Sequence, residues 1–115
     1  MHALIIEDEA LIAILIEDCL RGSGFTSFDV AASCEDAIAS ASRKCPDLIT
    51  AHVELDPGCG IDAVSAICSD SPIPVVFVTG SSHNVRQRMP HHLQVSKPFD
   101  PSKLIEIVQL ALAGG

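Results

Sequence analysis

The sequence predicts an α/β fold, a doubly wound five-stranded parallel sheet with helices on both faces. Short apolar runs alternate with segments of helical period five times along the 115 residues. Strands that alternate with helices pair in parallel through crossovers, and the crossover helices then cover both faces of the sheet. No repeat, linker or low-complexity stretch interrupts the pattern, so residues 1–115 read as one domain.

ALIIE (3–7) reads as the first strand. A helix from about Glu9 to Arg21 follows, stopped by Gly22 and Gly24, with Ile12, Leu15, Ile16, Cys19 and Leu20 as its core stripe. FTSFDVAA (25–32) is a second, more polar strand suited to a sheet edge. Ser33 caps a helix through Ala41, with Glu35 and Asp36 in its first turn, where the helix dipole favours negative charge. The third strand lies in PDLITAHVELDPGCG (46–60), where Leu48, Ile49, Ala51 and Val53 suit a strand and Pro57, Gly58 and Gly60 a loop. A helix from about Ile61 to Cys68 comes next, and Pro72 and Pro74 introduce the fourth strand, VVFVT (75–79). A short polar segment from Ser81 to Met89 carries the weakest helical signal. LQVS (93–96) is the last strand, and Asp100 as cap with Pro101 at the first helical position opens a final helix to about Ala113.

Hydrophobic residues make up 48% of the chain and charged residues 19%, a balance that suits a packed core and not a disordered chain. Net charge is −8, and no basic cluster exceeds Arg43-Lys44, which argues against neutralising nucleic-acid phosphates. The five cysteines (Cys19, Cys34, Cys45, Cys59 and Cys68) are scattered without a CxxC pair, and three fall in predicted helices, so they read as reduced thiols. There is no basic leader followed by an apolar stretch and no apolar run approaching ~20 residues. A soluble, cytoplasmic protein without membrane contact is expected.

In such sheets ligands sit beyond the carboxyl ends of the strands. Those ends carry Glu7-Asp8, His52, Thr79 and Lys97. Taken singly, the acids suit a helix start, Thr79 an ordinary strand end and Lys97 a surface charge. Together they look like apparatus for a phosphoryl group: paired carboxylates hold Mg²⁺, while a hydroxyl and an ammonium neutralise phosphoryl oxygens. Neither GxxxxGK[ST] nor GxGxxG occurs, which argues against nucleotide binding by those routes.

LIIEDE (4–9), PDLI with its loop to Gly60, VVFVTG (75–80) and SKPF (96–99), in this order and spacing, resemble the receiver domain of two-component response regulators over essentially the whole chain. The resemblance implies a flavodoxin-like fold, Mg²⁺ bound by Glu7, Asp8 and the backbone carbonyl of Glu54, and Thr79 and Lys97 as phosphate-contacting switch residues. It also implies a cis bond at Lys97-Pro98 and a histidine kinase or histidine phosphotransfer protein as partner. With no output domain expected, the signal would leave through protein contacts. VFVTG resembles an atypical Phe-Ala-Thr-Gly subgroup that includes stand-alone receivers of general stress signalling. That subgroup lacks the switch aromatic, and Gln94 stands at its position here.

The departure is His52, which occupies the position of the phosphate-accepting aspartate, five residues after Asp47. Three readings are open. In the preferred one, native or introduced, His52 silences phosphorylation. It removes a metal ligand with the nucleophile, so Mg²⁺ binding is expected to weaken, and an imidazolium would stand where the metal's charge belongs. In the second, His52, Glu54 and Asp56 bind a softer metal, as a small metal-binding protein or metal-dependent enzyme. In the third, His52 itself carries phosphate in a relay. A flavin carrier is a further rival, disfavoured because EDEA stands where a hydroxyl-rich phosphate loop would follow the first strand. His83, His91 and His92 lie in polar context and receive no role. Leu104, Ile105, Ile107, Val108, Leu110 and Leu112 nearly encircle the final helix, and Leu11 and Ile14 form a second stripe on the first, so a partner or homodimer surface is expected.

Overall fold

A computed structural model of the protein describes residues 1–55, 60–69, 72–79, 93–96 and 100–114. The first apolar run forms strand β1 (His2–Ile6), every residue of it buried. Helix α1 (Ala10–Gly22) follows, and Gly24 takes the positive φ of 98° that turns the chain toward β2 (Ser27–Ala31). Ser33 caps α2 (Cys34–Arg43) as expected, its Oγ accepting from the Asp36 N–H at 3.2 Å. β3 (Leu48–Ala51), α3 (Gly60–Ile67), β4 (Val75–Thr79) and β5 (Leu93–Ser96) complete the alternation before α4 (Pro101–Gly114). Asp100 caps α4 through its Oδ1, which accepts from the Ser102 N–H at 2.9 Å. The polar segment 81–89, expected as a helix, lies outside the described residues.

All pairings are parallel and the strand order is β2-β1-β3-β4-β5, which places the polar second strand at an edge as its composition predicts. Alternate residues of each strand point to opposite faces, so two cores form. Ala3, Ile5, Val76 and Val78 pack with Ile16 and Leu20 of α1 and with Leu104 and Val108 of α4. Leu4, Ile6, Ile49, Ala51 and Phe77 pack on the other side with Ala37 of α2 and Ile61 and Val64 of α3. A sheet covered on both faces needs near-continuous apolar strands, which is what β1 and β4 supply.

The core face of α1 differs from the expected stripe. Leu15 is exposed, and Ala13 joins Ile16, Cys19 and Leu20 in the buried set, with Ile12 half-buried. The helix carries apolar residues on two faces, so hydrophobicity alone does not select which one turns inward. Leu11 and Ile14 do remain outside, 81% and 57% exposed. On α4, by contrast, the apolar surplus is smaller than expected. Ile105, Ile107 and Leu112 pack partly against the core, leaving Leu110 as the large exposed hydrophobic residue among those described on that helix.

Candidate functional site

Register brings two strand ends level. Ile6 pairs with Ala51, and Ala51 with Phe77, so Glu7 and His52 leave the carboxyl edge of the sheet side by side. The Glu7 N–H donates to the Ala31 carbonyl at 2.9 Å, and the Glu7 side chain is buried, its Oε2 accepting from the Glu9 N–H at 3.2 Å. That bond fastens the carboxylate against the start of α1. Asp8 and Glu9 stand exposed beside it, and Glu9, the residue preceding the helix, makes no side-chain capping bond.

His52 is held at three points. Its backbone N–H donates to the Ile6 carbonyl at 2.8 Å, and its ring Nδ1 lies 3.2 Å from the Val78 carbonyl oxygen. A carbonyl can only accept, so Nδ1 carries the proton. The third restraint comes from α3, whose first residue approaches so closely that a Cβ on Gly60 would lie 2.0 Å from the His52 carbonyl oxygen. Only glycine fits there, and its N–H donates to the Val53 carbonyl at 2.8 Å. The other ring nitrogen, Nε2, faces the acids, 3.9 Å from Asp8 Oδ1 and 3.6 Å from Glu54 Oε2.

One ligand atom from each of Glu7, Asp8, Glu9 and His52 lies within 4.8 Å of the others. Glu7, Asp8 and His52 therefore converge as the strand ends imply. Of the expected trio of His52, Glu54 and Asp56, His52 belongs to this cluster and Glu54 Oε2 lies 3.6 Å from its Nε2. β3 ends at Ala51, the Glu54 side chain is 44% exposed, and Asp56 lies outside the described residues. Thr79 ends β4, its backbone paired with Ser96 of β5. Lys97 and the Lys97-Pro98 bond lie outside the described residues. Sequence reasoning left Glu9 out of the site, although three consecutive acids ending a strand were a visible signal. Gln94 pairs with Phe77 across β5 and β4, its Oε1 buried without a hydrogen-bond partner among the described residues.

A second histidine went unread. His2 is buried at the opposite end of the sheet, its ring 2.7 Å from Ser27 Oγ and 3.0 Å from Asp29 Oδ2, while its N–H donates to Asp47 Oδ2 at 2.7 Å. These bonds tie β1 to the edge strand and to the approach of β3. Burial, reinforced by Asp18, raises the Cys19 thiol above its ordinary range, and burial does the same for Cys68 against a lowering backbone hydrogen bond from Ile73. Both shifts disfavour the thiolate near neutrality.

A parallel sheet in this order, with an acidic pocket at the carboxyl edge of its first and third strands, defines a receiver module. The chain belongs to the response regulator receiver domain family, whose profile matches residues 3–109. It is similar to the phyllosphere-induced regulator PhyR of Methylorubrum extorquens, 34% identical over 95% of this chain and 42% of that protein. It is also similar to the transcriptional regulatory protein PdtaR of Mycobacterium tuberculosis, 33% identical over 97% of this chain and 57% of that one. Among solved structures, the PhyR receiver domain of Erythrobacter litoralis matches with a TM-score of 0.89 and 32% identity, over 97% of this chain and 89% of that chain. The anti-anti-sigma factor PhyR of Bartonella quintana matches with a TM-score of 0.86 and 34% identity, over 98% of this chain and 47% of that chain. The chain spans about half the length of the curated relatives it matches. No helix among the described residues is long and apolar enough to cross a membrane.

Receiver domains generally bind Mg²⁺ in this acidic pocket. Glu7, Asp8 and Glu9 offer that ion carboxylate oxygens, and the fourth clustered donor is nitrogen. Mg²⁺ demands near-octahedral oxygen ligands, and in this chain a buried imidazole nitrogen faces the pocket beside the carboxylates.

Proposed function

We propose that this protein is a signalling receiver in which Asp phosphorylation is disabled and which acts through contacts with other proteins. The observation that carries the reading is His52 itself, directly after β3, buried, with its ring turned toward Asp8 and Glu54. Phosphoryl transfer to a receiver needs a carboxylate nucleophile and a metal to neutralise charge gathering on the transferred group. The imidazole removes the first and weakens the pocket for Mg²⁺. Phosphorylation of the ring is disfavoured too, because the carboxylates near Nε2 repel an anionic phosphoryl donor.

A histidine kinase or histidine phosphotransfer protein is the partner class this surface serves, in a general stress pathway of the PhyR type and in the cytoplasm. Leu11 and Ile14 on the outer face of α1 provide its apolar contact, and Leu110 on α4 provides one for a homodimer. Thr79 and Lys97 are retained as the residues that would contact a phosphoryl group. The reading predicts that acetyl phosphate with Mg²⁺ leaves the unmodified chain unlabelled and that His52→Asp gains one phosphoryl group, as read by intact mass. A stoichiometric adduct on the unmodified chain overturns it.

A further inference from the structure

We infer that the pocket formed by Glu7, Asp8, Glu9 and His52 is a site for a divalent transition-metal ion of zinc(II) type, bound through His52 Nε2 and the carboxylates. The inference goes beyond the proposed function. It shares with that reading only the identity and orientation of His52, and it requires neither a phosphorylation state nor a partner.

Geometry is the first ground. The four candidate donor atoms lie within 4.8 Å of one another. A tetrahedral ion with bonds of about 2.0–2.2 Å sets its ligands roughly 3.4 Å apart, so closure of the cluster by an ångström or so completes the site. Asp8 and Glu9 are the exposed members, free to make that movement and to admit the ion from solvent, while Glu7 and His52 are buried and fixed.

The orientation of the ring is the second ground and is independent of the acids. The His52 side chain is only 9% exposed. Its Nδ1–H is committed to the Val78 carbonyl, which leaves Nε2 as the ring nitrogen open to a ligand. Nε2 faces the cluster, and the flanking carboxylate oxygens, at 3.6 and 3.9 Å, lie beyond hydrogen-bond distance. Among the described residues Nε2 has no closer partner. A ring that donates one N–H to a backbone carbonyl and turns the other nitrogen into an acidic pocket has the orientation of a metal-ligating histidine.

Donor chemistry supplies the selectivity. Imidazole nitrogen suits zinc, copper, nickel and iron, whereas magnesium is held by oxygen alone. The histidine that removes the phosphate acceptor thereby changes the class of cation the pocket takes. Three clustered carboxylates also gain from a divalent charge among them.

The test is calorimetric titration of the full chain, kept reduced in chelator-free buffer, with zinc chloride alone and with magnesium chloride alone. One zinc ion should bind at least about tenfold more tightly than magnesium, and His52→Asn should weaken zinc by at least about tenfold, the loss seen when groups supporting such sites are removed. Asp8→Asn, an exposed change that should leave folding intact, should weaken it too and serves if His52→Asn fails to fold. Cobalt(II) alone separates this pocket from the thiols: absorption without a thiolate charge-transfer band, with ¹⁵N shifts on zinc binding confined to the His52 ring, supports the site. Unchanged zinc affinity in the variants, a thiolate band, or ring shifts at His2 in place of His52 overturns it. Acetyl phosphate labelling of the unmodified chain would refute the proposed function and leave this inference standing, so the two failures are distinguishable.

Discussion

At the scale of single residues, His52 and Gly60 belong to one arrangement. The backbone of His52 is clamped between the Ile6 carbonyl it donates to and the first residue of α3, which leaves no room for a Cβ at position 60. The obstruction is rigid, since the atoms a Cβ would meet are backbone and cannot swing aside. Gly60→Ala is therefore expected to destabilise the fold by about 1–3 kcal/mol, the usual cost of overpacking, read as a lower urea midpoint at unchanged slope. An unchanged midpoint would mean that α3 slides away from β3 without cost. The placing of His52 at the acceptor position came from the receiver resemblance, counted five residues on from Asp47. The direction of its ring was not, because the Val78 carbonyl that orients it lies 26 residues further along the chain.

At the scale of elements, local signals placed the helices and long-range packing chose their faces. The Ser33 and Asp100 caps act through bonds to N–H groups two or three residues away, so sequence suffices to find them. The buried face of α1 depends on where β1, β4 and α4 stand, and hydrophobicity alone points ambiguously to Leu15. The structure separates the neighbours sharply. Ile16 is 1% exposed and Leu15 is 37% exposed. Ile16→Ala should cost about 2–5 kcal/mol, as for large aliphatic residues in cores, whereas Leu15→Ala should cost well under half as much. Paired urea denaturation curves check this, and equal losses would place the helix in a different rotation. On the exposed face of the same helix, a Leu11→Ser, Ile14→Ser double variant should keep its stability and lose affinity for a histidine-bearing partner, measured by calorimetry.

At the scale of the whole molecule, one sheet carries two cores and gathers acids at one edge. β3 is the central strand, paired on both sides, whereas β2 is an edge whose residues are mostly half-exposed. Amide exchange should accordingly be slowest at residues 48–51 and 4–6 and faster at 27–31, because an edge can open without breaking the core. Uniform protection across β1, β2 and β3 would indicate that the edge opens only with global unfolding.

By itself the sequence determined the alternation of strands and helices, the parallel α/β class, the caps, and the placement of Glu7, Asp8 and His52 at strand ends. Those features follow from local pattern: apolar runs, turn residues and chain direction act over a few residues. Only the tertiary structure decided which face of α1 is buried, that Glu9 completes the acidic cluster, and that His52 turns Nε2 toward it. These depend on register between strands far apart in sequence, and register is settled by packing the whole core at once.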